Sequence, residues 1–295
     1  MIIELRTTDE QAGRRLDEVL ALLAAISKGE ARRIIDRGGC VLNGAMVRVA
    51  SRSVRSGDLL TVGVMEPGRF QELELSPEAI IYQDKHLLAV NKPPGVASQR
   101  TPYQLKGTLE YWVAEEFARQ GVREPVRIVH RLDRGTSGLM LFPKHRQEAA
   151  WLSELFRRGE MGKRYLALIA GAPPAECWQA EGPIGKVASA RWGIVPGGRP
   201  ARTEFRLLAT EEGTALVEAL PHTGRTHQIR VHLAADGLPI VGDATYGGTP
   251  CNRLMLHCAE LSWRRRDGTL LRLAAPPDEA YRERCGRCWS AAAGS

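Results

Sequence analysis

Apolar positions change their period several times along the chain, and each change marks an element. Leu16, Val19, Leu20 and Leu23 fall at helical spacing behind Arg14 and Arg15, which predicts an amphipathic helix. Ser27 stands where a second helix needs a cap, with Lys28, Arg32 and Arg33 on one side and Ile34 and Ile35 towards a core. Gly38-Gly39 closes that helix, Val41-Leu42-Asn43-Gly44 reads as a strand entering a turn, and Val54 to Val62 suggests another strand. Gly63 to Glu78 holds Pro67, Gly68 and Pro77 with little periodicity and reads as a linker. The expected organisation is a small module over residues 1–62, a linker over 63–78 and a large domain over 79–295.

Strands dominate the large domain. Ile80-Ile81-Tyr82 and Leu87-Leu88-Ala89-Val90 flank a polar turn, and Ile128-Val129, Leu139 to Phe142, and Tyr165 to Ala170 are further strand candidates. Thr203-Phe205-Leu207, Leu216 to Leu220 and Leu254 to Cys258 continue them. Gln147 to Phe156 predicts a helix with Trp151, Leu152, Leu155 and Phe156 inward and Gly159 as its stop. Thr226 to Ala235 predicts another, ending at Asp236-Gly237. Strands do not alternate regularly with helices, so the expected fold is α+β with a mixed, mainly antiparallel sheet.

Composition narrows the class. The longest apolar runs fall far short of a membrane span, so no membrane association is expected. Met1-Ile2-Ile3-Glu4-Leu5 lacks the basic start and long apolar run of a secretory signal, which points to the cytoplasm. Six scattered cysteines do not suggest a disulfide framework, and a monomer is expected. The formal charge of +7 suits an anionic partner. The excess gathers between Arg127 and Arg164, with nine Lys or Arg against four acids, and again at Arg264-Arg265-Arg266.

The most informative stretch is His130-Arg131-Leu132-Asp133-Arg134-Gly135-Thr136-Ser137-Gly138-Leu139. It places one carboxylate between two guanidinium groups, in a turn between apolar runs, and close cations favour the ionised acid. This decapeptide resembles the catalytic signature of the RluA-type pseudouridine synthases. Two later stretches resemble the same family in the same order: Lys163 to Gly171, with its tyrosine-bearing strand, and His222-Thr223-Gly224-Arg225-Thr226-His227-Gln228-Ile229-Arg230-Val231-His232. Asn91-Lys92-Pro93-Pro94-Gly95 adds a fourth match. The two short basic helices and small sheet of residues 1–62 resemble the alpha-L RNA-binding module of a small-subunit ribosomal protein.

The resemblance implies an isomerase that breaks the glycosidic bond of a uridine, rotates the uracil and rejoins it through carbon 5. It implies Asp133 as the indispensable acid, Arg225 to hold and ionise it, Tyr165 to stack on the base, and Leu256 to pack the pocket. No cofactor or metal is implied, since the uracil never leaves. RNA is the implied partner, ribosomal RNA first and tRNA as a second choice, with Arg14, Arg15, Lys28, Arg32, Arg33, Arg131 and Arg134 as candidate contacts. Asp133 would act either as a nucleophile at the anomeric carbon or as a base on the neighbouring ribose carbon. The runner-up is a non-catalytic RNA-binding or ribosome-assembly factor, and retention of Asp133, Tyr165 and Arg225 argues against it. Nucleoside hydrolysis ranks last, because it normally takes a second acid. His222, His227 and His232 recur every five residues, a spacing that scatters them on strand or helix, so no metal site is expected. Cys285-Gly286-Arg287-Cys288 has no matching second pair for zinc and is expected to be a thiol pair in a disordered tail.

Overall fold

The computed structural model describes residues 2–36, 39–63, 73–100, 107–188 and 191–293. Contacts divide the chain into two compact units, residues 1–74 with 99–116 and residues 75–98 with 117–295. The expected linker falls mostly on residues 64–72, outside the described residues.

In the first unit, α1 (Leu16–Leu23), α2 (Lys28–Asp36), β2 (Cys40–Leu42), β3 (Ala45–Val47) and β4 (Leu59–Gly63) follow the predicted helix–helix–sheet order, and a strand unread in the sequence, β1 (Ile2–Arg6), precedes them. The sheet runs β1-β4-β2-β3, all antiparallel. Ser27 caps α2 reciprocally: its Oγ accepts the Glu30 N–H at 3.2 Å, and the Glu30 carboxylate accepts the Ser27 N–H at 3.1 Å. Asn43 and Gly44 both take positive φ, the backbone a two-residue hairpin between β2 and β3 demands. Leu16, Val19 and Leu20 of α1 pack with Ile34 and Ile35 of α2 over Leu42, Leu60 and Val62. Most of α3 (Leu109–Arg119), unread in the sequence, belongs to the segment 99–116.

The second unit is organised by a large sheet. Its strands are β5 (Ile80–Gln83), β6 (Leu87–Lys92), β7 (Ser137–Pro143), β8 (Gly162–Ala170), β9 (Cys177–Ala188), β10 (Arg191–Ile194), β11 (Arg199–Glu211), β12 (Thr214–Pro221), β13 (Leu256–Arg264) and β14 (Leu270–Ala274). Among the described residues they run in the order β10-β9-β11-β12-β8-β13-β7-β6-β5, with β14 paired to β13. Every pairing is antiparallel except β7 with β13. Three helices accompany the sheet: α4 (Arg146–Arg158), stopped by Gly159 in the left-handed conformation, α5 (Gln228–Ala235) and α6 (Glu279–Ala293). Among the described residues no helix is long and apolar enough to cross a membrane.

Two expectations are corrected. Ile128 and Val129 form no strand, because both edges of β7 are already taken, by β6 and by β13. Cys285 and Cys288 do not lie in a disordered tail; both are buried free thiols on α6, packed into the main core with Tyr281.

One glycine is essential to the parallel pairing. Gly138 has φ +114°, and a Cβ there would lie 2.2 Å from the Cys258 carbonyl oxygen on β13. Gly138→Ala should therefore cost about 3 kcal/mol or more, from the strained backbone and the clash together. Urea unfolding of the full chain measures it, and an unchanged midpoint would show that the β7–β13 contact is not this close.

Candidate active site

Asp133 sits on the turn that leads into β7, and four separate contacts hold that turn. His130 Nε2 accepts the Leu141 N–H at 2.9 Å, and its ring stacks on Phe156 of α4 at 4.6 Å. Ser98 Oγ donates to the Leu132 carbonyl at 2.6 Å and accepts the Leu132 N–H at 3.1 Å. Lys92, fully buried, spends its ammonium on the carbonyls of Val96 at 2.8 Å, Pro93 at 3.0 Å and Arg134 at 3.3 Å. Burial pushes its pKa down to about 7, against the opposing pull of Asp133. Ser137 Oγ meets His257 Nδ1 at 2.9 Å and receives a guanidinium N–H from Arg253 at 2.6 Å. The loop that carries this carboxylate is thus fastened from β6, β7 and β13.

The cation facing Asp133 is not one of its sequence neighbours. Arg131 donates to Thr226 Oγ1 at 3.3 Å, and Arg134 donates to the Gly95 carbonyl at 2.8 Å. Nor is it Arg225, which the resemblance assigned to hold the acid. Arg225 lies in the turn before α5, where its Nε donates to the Pro200 carbonyl at 3.0 Å. The group that reaches Asp133 is Arg230, 97 residues along the chain, with Nη1 3.4 Å from Oδ2. Arg230 comes from the first turn of α5, and Asp243 grips its Nε and Nη2 at 2.7 and 2.8 Å, a bidentate pair that aims the remaining nitrogen. His227 approaches the same Oδ2 with Nε2 at 3.7 Å. Among the described residues Oδ1 has no hydrogen-bond partner.

Around this acid lies a cleft of about 130 Å³, lined by Asp133, Lys163, Tyr165, Arg225, His227, Arg230 and Leu256 among others. Tyr165 and Leu256 enter it from the paired strands β8 and β13, in register two positions apart. Burial, with smaller contributions from Cys258 and Asp133, raises the Tyr165 pKa well above its ordinary value, so its hydroxyl is protonated at neutral pH. Burial also lowers the pKa of Lys163. The cleft has the equipment for acid–base or nucleophilic work by one carboxylate beside an apolar platform for a ring.

The three histidines of the five-residue repeat point to three places: His222 to Glu204 at 2.9 Å, His227 to Asp133, and His232 to Thr203 Oγ1 at 2.9 Å. Arg230, Asp243 and Tyr246 escaped the sequence reading. Arg230 lies inside the matched motif His222–His232, where the resemblance gave the role to Arg225. For Asp243 and Tyr246 the local signal is the short segment Asp243-Ala244-Thr245-Tyr246, bracketed by Gly242 and Gly247.

Comparison with known proteins agrees with the fold. Residues 86–235 match the family model described as RNA pseudouridylate synthase, and residues 14–60 match the S4 domain. An uncharacterized RNA pseudouridine synthase of Chloroflexus aurantiacus is 36% identical over 261 residues, covering 85% of this chain and 82% of that protein. Ribosomal large subunit pseudouridine synthase C of Escherichia coli is 32% identical over 307 residues, covering 94% and 93%. The structure titled Human RNA Pseudouridylate Synthase Domain Containing 4 superposes with a TM-score of 0.61 at 25% identity, covering 71% of this chain and 92% of that one. The chain belongs to the RNA pseudouridylate synthase family and carries an S4 domain ahead of its isomerase domain.

His130 yields a pH test of the anchored turn. Burial, with the charge of Lys163, pushes its pKa down to about 3, whereas in the unfolded chain it titrates near ~6.5. The unfolded state therefore binds one more proton through that window. Stability is full above about pH 6.5 and falls with acid by up to about 1.4 kcal/mol per pH unit until about pH 3. His130→Gln keeps an acceptor for the Leu141 N–H and should remove one proton's share of the slope. Urea unfolding of both proteins between pH 7 and 4 decides it; identical slopes would mean that the folded imidazole is charged.

Proposed function

We propose that this enzyme converts specific uridines of large-subunit ribosomal RNA to pseudouridine, with Asp133 as the acting acid and without a cofactor. The observation that carries the RNA assignment is the near full-length match to a ribosomal large subunit pseudouridine synthase. The observation that carries the role of Asp133 is its place in the cleft between Arg230 and Tyr165.

The chemistry balances within the nucleotide. Asp133 either displaces uracil at the anomeric carbon, or removes a proton from the neighbouring ribose carbon as the glycosidic bond breaks. The uracil leaves with the bonding pair, turns, and forms the new bond from carbon 5 to the anomeric carbon. In the nucleophilic route that new bond displaces the Asp133 carboxylate, and in the other the ribose carbon regains its proton from Asp133. Carbon 5 then gives up its proton to solvent as the ring regains aromatic character, and nitrogen 1 takes up a proton. Arg230 supplies the fixed positive charge beside the acid, ready before substrate arrives. Tyr165 offers its ring to the detached base, and Leu256 packs the same space. A carboxylate on a loop cannot reach a base inside a helix, so the target uridine must be flipped out, which costs least in loops and irregular RNA. Arg131 and Arg134, both exposed beside the cleft, are placed to meet phosphates flanking the flipped nucleotide.

The N-terminal module, proposed to span residues 1–62 ahead of a catalytic domain over 79–295, adds RNA contacts. Its basic residues are not equally available. Arg15 and Arg32 clamp the buried Asp17 at 2.9 and 2.6 Å, and Lys28 pairs with Glu18 at 2.6 Å. Arg14 and Arg33 are exposed and have no acidic partner among the described residues.

Two predictions follow from these assignments. Asp133→Asn should retain RNA binding and lose isomerisation by at least about 10⁴-fold, Arg230→Gln should lose roughly 10²–10³-fold, and Arg225→Gln far less than Arg230→Gln. Tritium release from RNA labelled at uridine carbon 5 measures all three, and full activity of the Asp133 variant would overturn the assignment. A tRNA transcript assayed in parallel would show whether the substrate class is wrong. Second, replacing Arg14 and Arg33 together by Ala should lower the slope of log affinity against log salt by about 2, whereas Lys28→Ala should change it by less. An unaltered slope in the double variant would mean that this face does not engage the RNA.

A further inference from the structure

Three polar groups behind Asp133 form a hydrogen-bond chain that the isomerisation chemistry above does not use. His227 stands just before α5 with φ +58°, a left-handed backbone that side-chain-bearing residues rarely adopt. From there its Nε2 faces Asp133 Oδ2 at 3.7 Å, and its Nδ1 lies 2.9 Å from the Tyr246 hydroxyl oxygen. That oxygen also accepts the Trp192 backbone N–H at 3.0 Å. The Tyr246 ring is pinned in turn beneath the Arg230 guanidinium, 5.0 Å from its centroid.

We infer that His227 and Tyr246 are positioning residues for Asp133, Tyr246 holding the imidazole in the tautomer whose Nε2–H faces the carboxylate. The inference rests on the reading of Asp133 as the reacting acid. Two constraints meet on the one ring. A nitrogen turned towards a carboxylate oxygen must carry hydrogen, or lone pairs would oppose each other, so Nε2 is the protonated nitrogen. Nδ1 then has a lone pair to offer, and the Tyr246 hydroxyl, already accepting from Trp192, has its own hydrogen to give. Burial, helped by the charges of Arg230 and Arg131, lowers the His227 pKa, while Asp133 and Asp243 act to raise it; the lowering prevails and the ring is neutral. Asp133 thus faces one cation and one neutral donor, both on Oδ2. Oδ1 is the oxygen left for the ribose. At 3.7 Å the His227 contact is longer than a hydrogen bond and shortens when substrate seats the carboxylate.

Nitrogen-15 spectra of the histidines and single-turnover kinetics on a ribosomal RNA fragment test this together. The His227 ring should show the Nε2–H tautomer in the native protein, and Tyr246→Phe should shift it towards a mixture. Tyr246→Phe should slow isomerisation roughly tenfold and His227→Asn roughly a hundredfold, with RNA affinity unchanged. Asn tolerates the left-handed backbone but ends short of Asp133. His227→Gln carries an amide N–H to about the position of Nε2 and should recover most of the rate. Adding Tyr246→Phe to His227→Asn should cost little more, because the hydroxyl acts only through the imidazole. An Nδ1–H tautomer in the native protein would overturn the proposal. So would native rates for both single variants, or losses of rate matched by losses of affinity. Failure of the native enzyme to isomerise any uridine would instead count against the proposed function, and the tautomer spectrum would still decide the hydrogen-bond chain.

Discussion

One guanidinium shared between two carboxylates organises the site. Asp243 is buried and would be untenable as a lone charge; the bidentate grip of Arg230 makes it tolerable. The same grip uses two of the nitrogens of Arg230 and leaves the third aimed at Asp133. The donor is therefore oriented by a structural ion pair rather than by the substrate, which is what electrostatic preorganisation requires. The ring of Tyr246 lies beneath the same guanidinium, and its hydroxyl meets the imidazole of His227, which faces Oδ2 at 3.7 Å.

The acid itself is held with matching care. The turn carrying Asp133 has no regular secondary structure, so its backbone polar groups need partners from elsewhere. Lys92 spans three carbonyls, Ser98 takes both polar groups of Leu132, and His130 reaches across to β7. The parallel β7–β13 pairing then brings β13, and with it Leu256, up to the base of the turn. A buried lysine and two buried, neutral histidines are costly devices, and they cluster around this one loop.

Charge elsewhere is less free than a count of arginines suggests. In the S4 domain, Arg15 and Arg32 are committed to Asp17 and Lys28 to Glu18, which secures the two helices to each other. Such pairs fix the module's shape, and Arg14 and Arg33 stay exposed without an acidic partner among the described residues.

Local chemistry along the chain was enough for much of this. The helical periods, the Ser27 cap, the Asn43-Gly44 turn and the strands β5, β6, β7, β8, β11 and β12 depend on neighbours a few residues apart, so they are legible one window at a time. Strands β9 and β10 went unread, and Ile128-Val129 reads as a strand but forms none. The turn that carries Asp133 was legible too, because a carboxylate among arginines and turn formers is a local pattern. Which cation meets that carboxylate was not. Arg131, Arg134 and Arg225 each seemed suitable by proximity or by motif, yet each gives its donors to a nearby oxygen. Arg230 wins because α5 presents it on the face where Asp243 and Tyr246 wait, a placement set by packing across the sheet. Likewise the strand periods of Tyr165 and Leu256 are sequence properties, but their meeting beside Asp133 follows from the β8–β13 register. The sequence by itself determined most of the elements and marked the candidate acid; only the tertiary structure decided its partners, because hydrogen-bond geometry between residues a hundred positions apart depends on topology and not on composition.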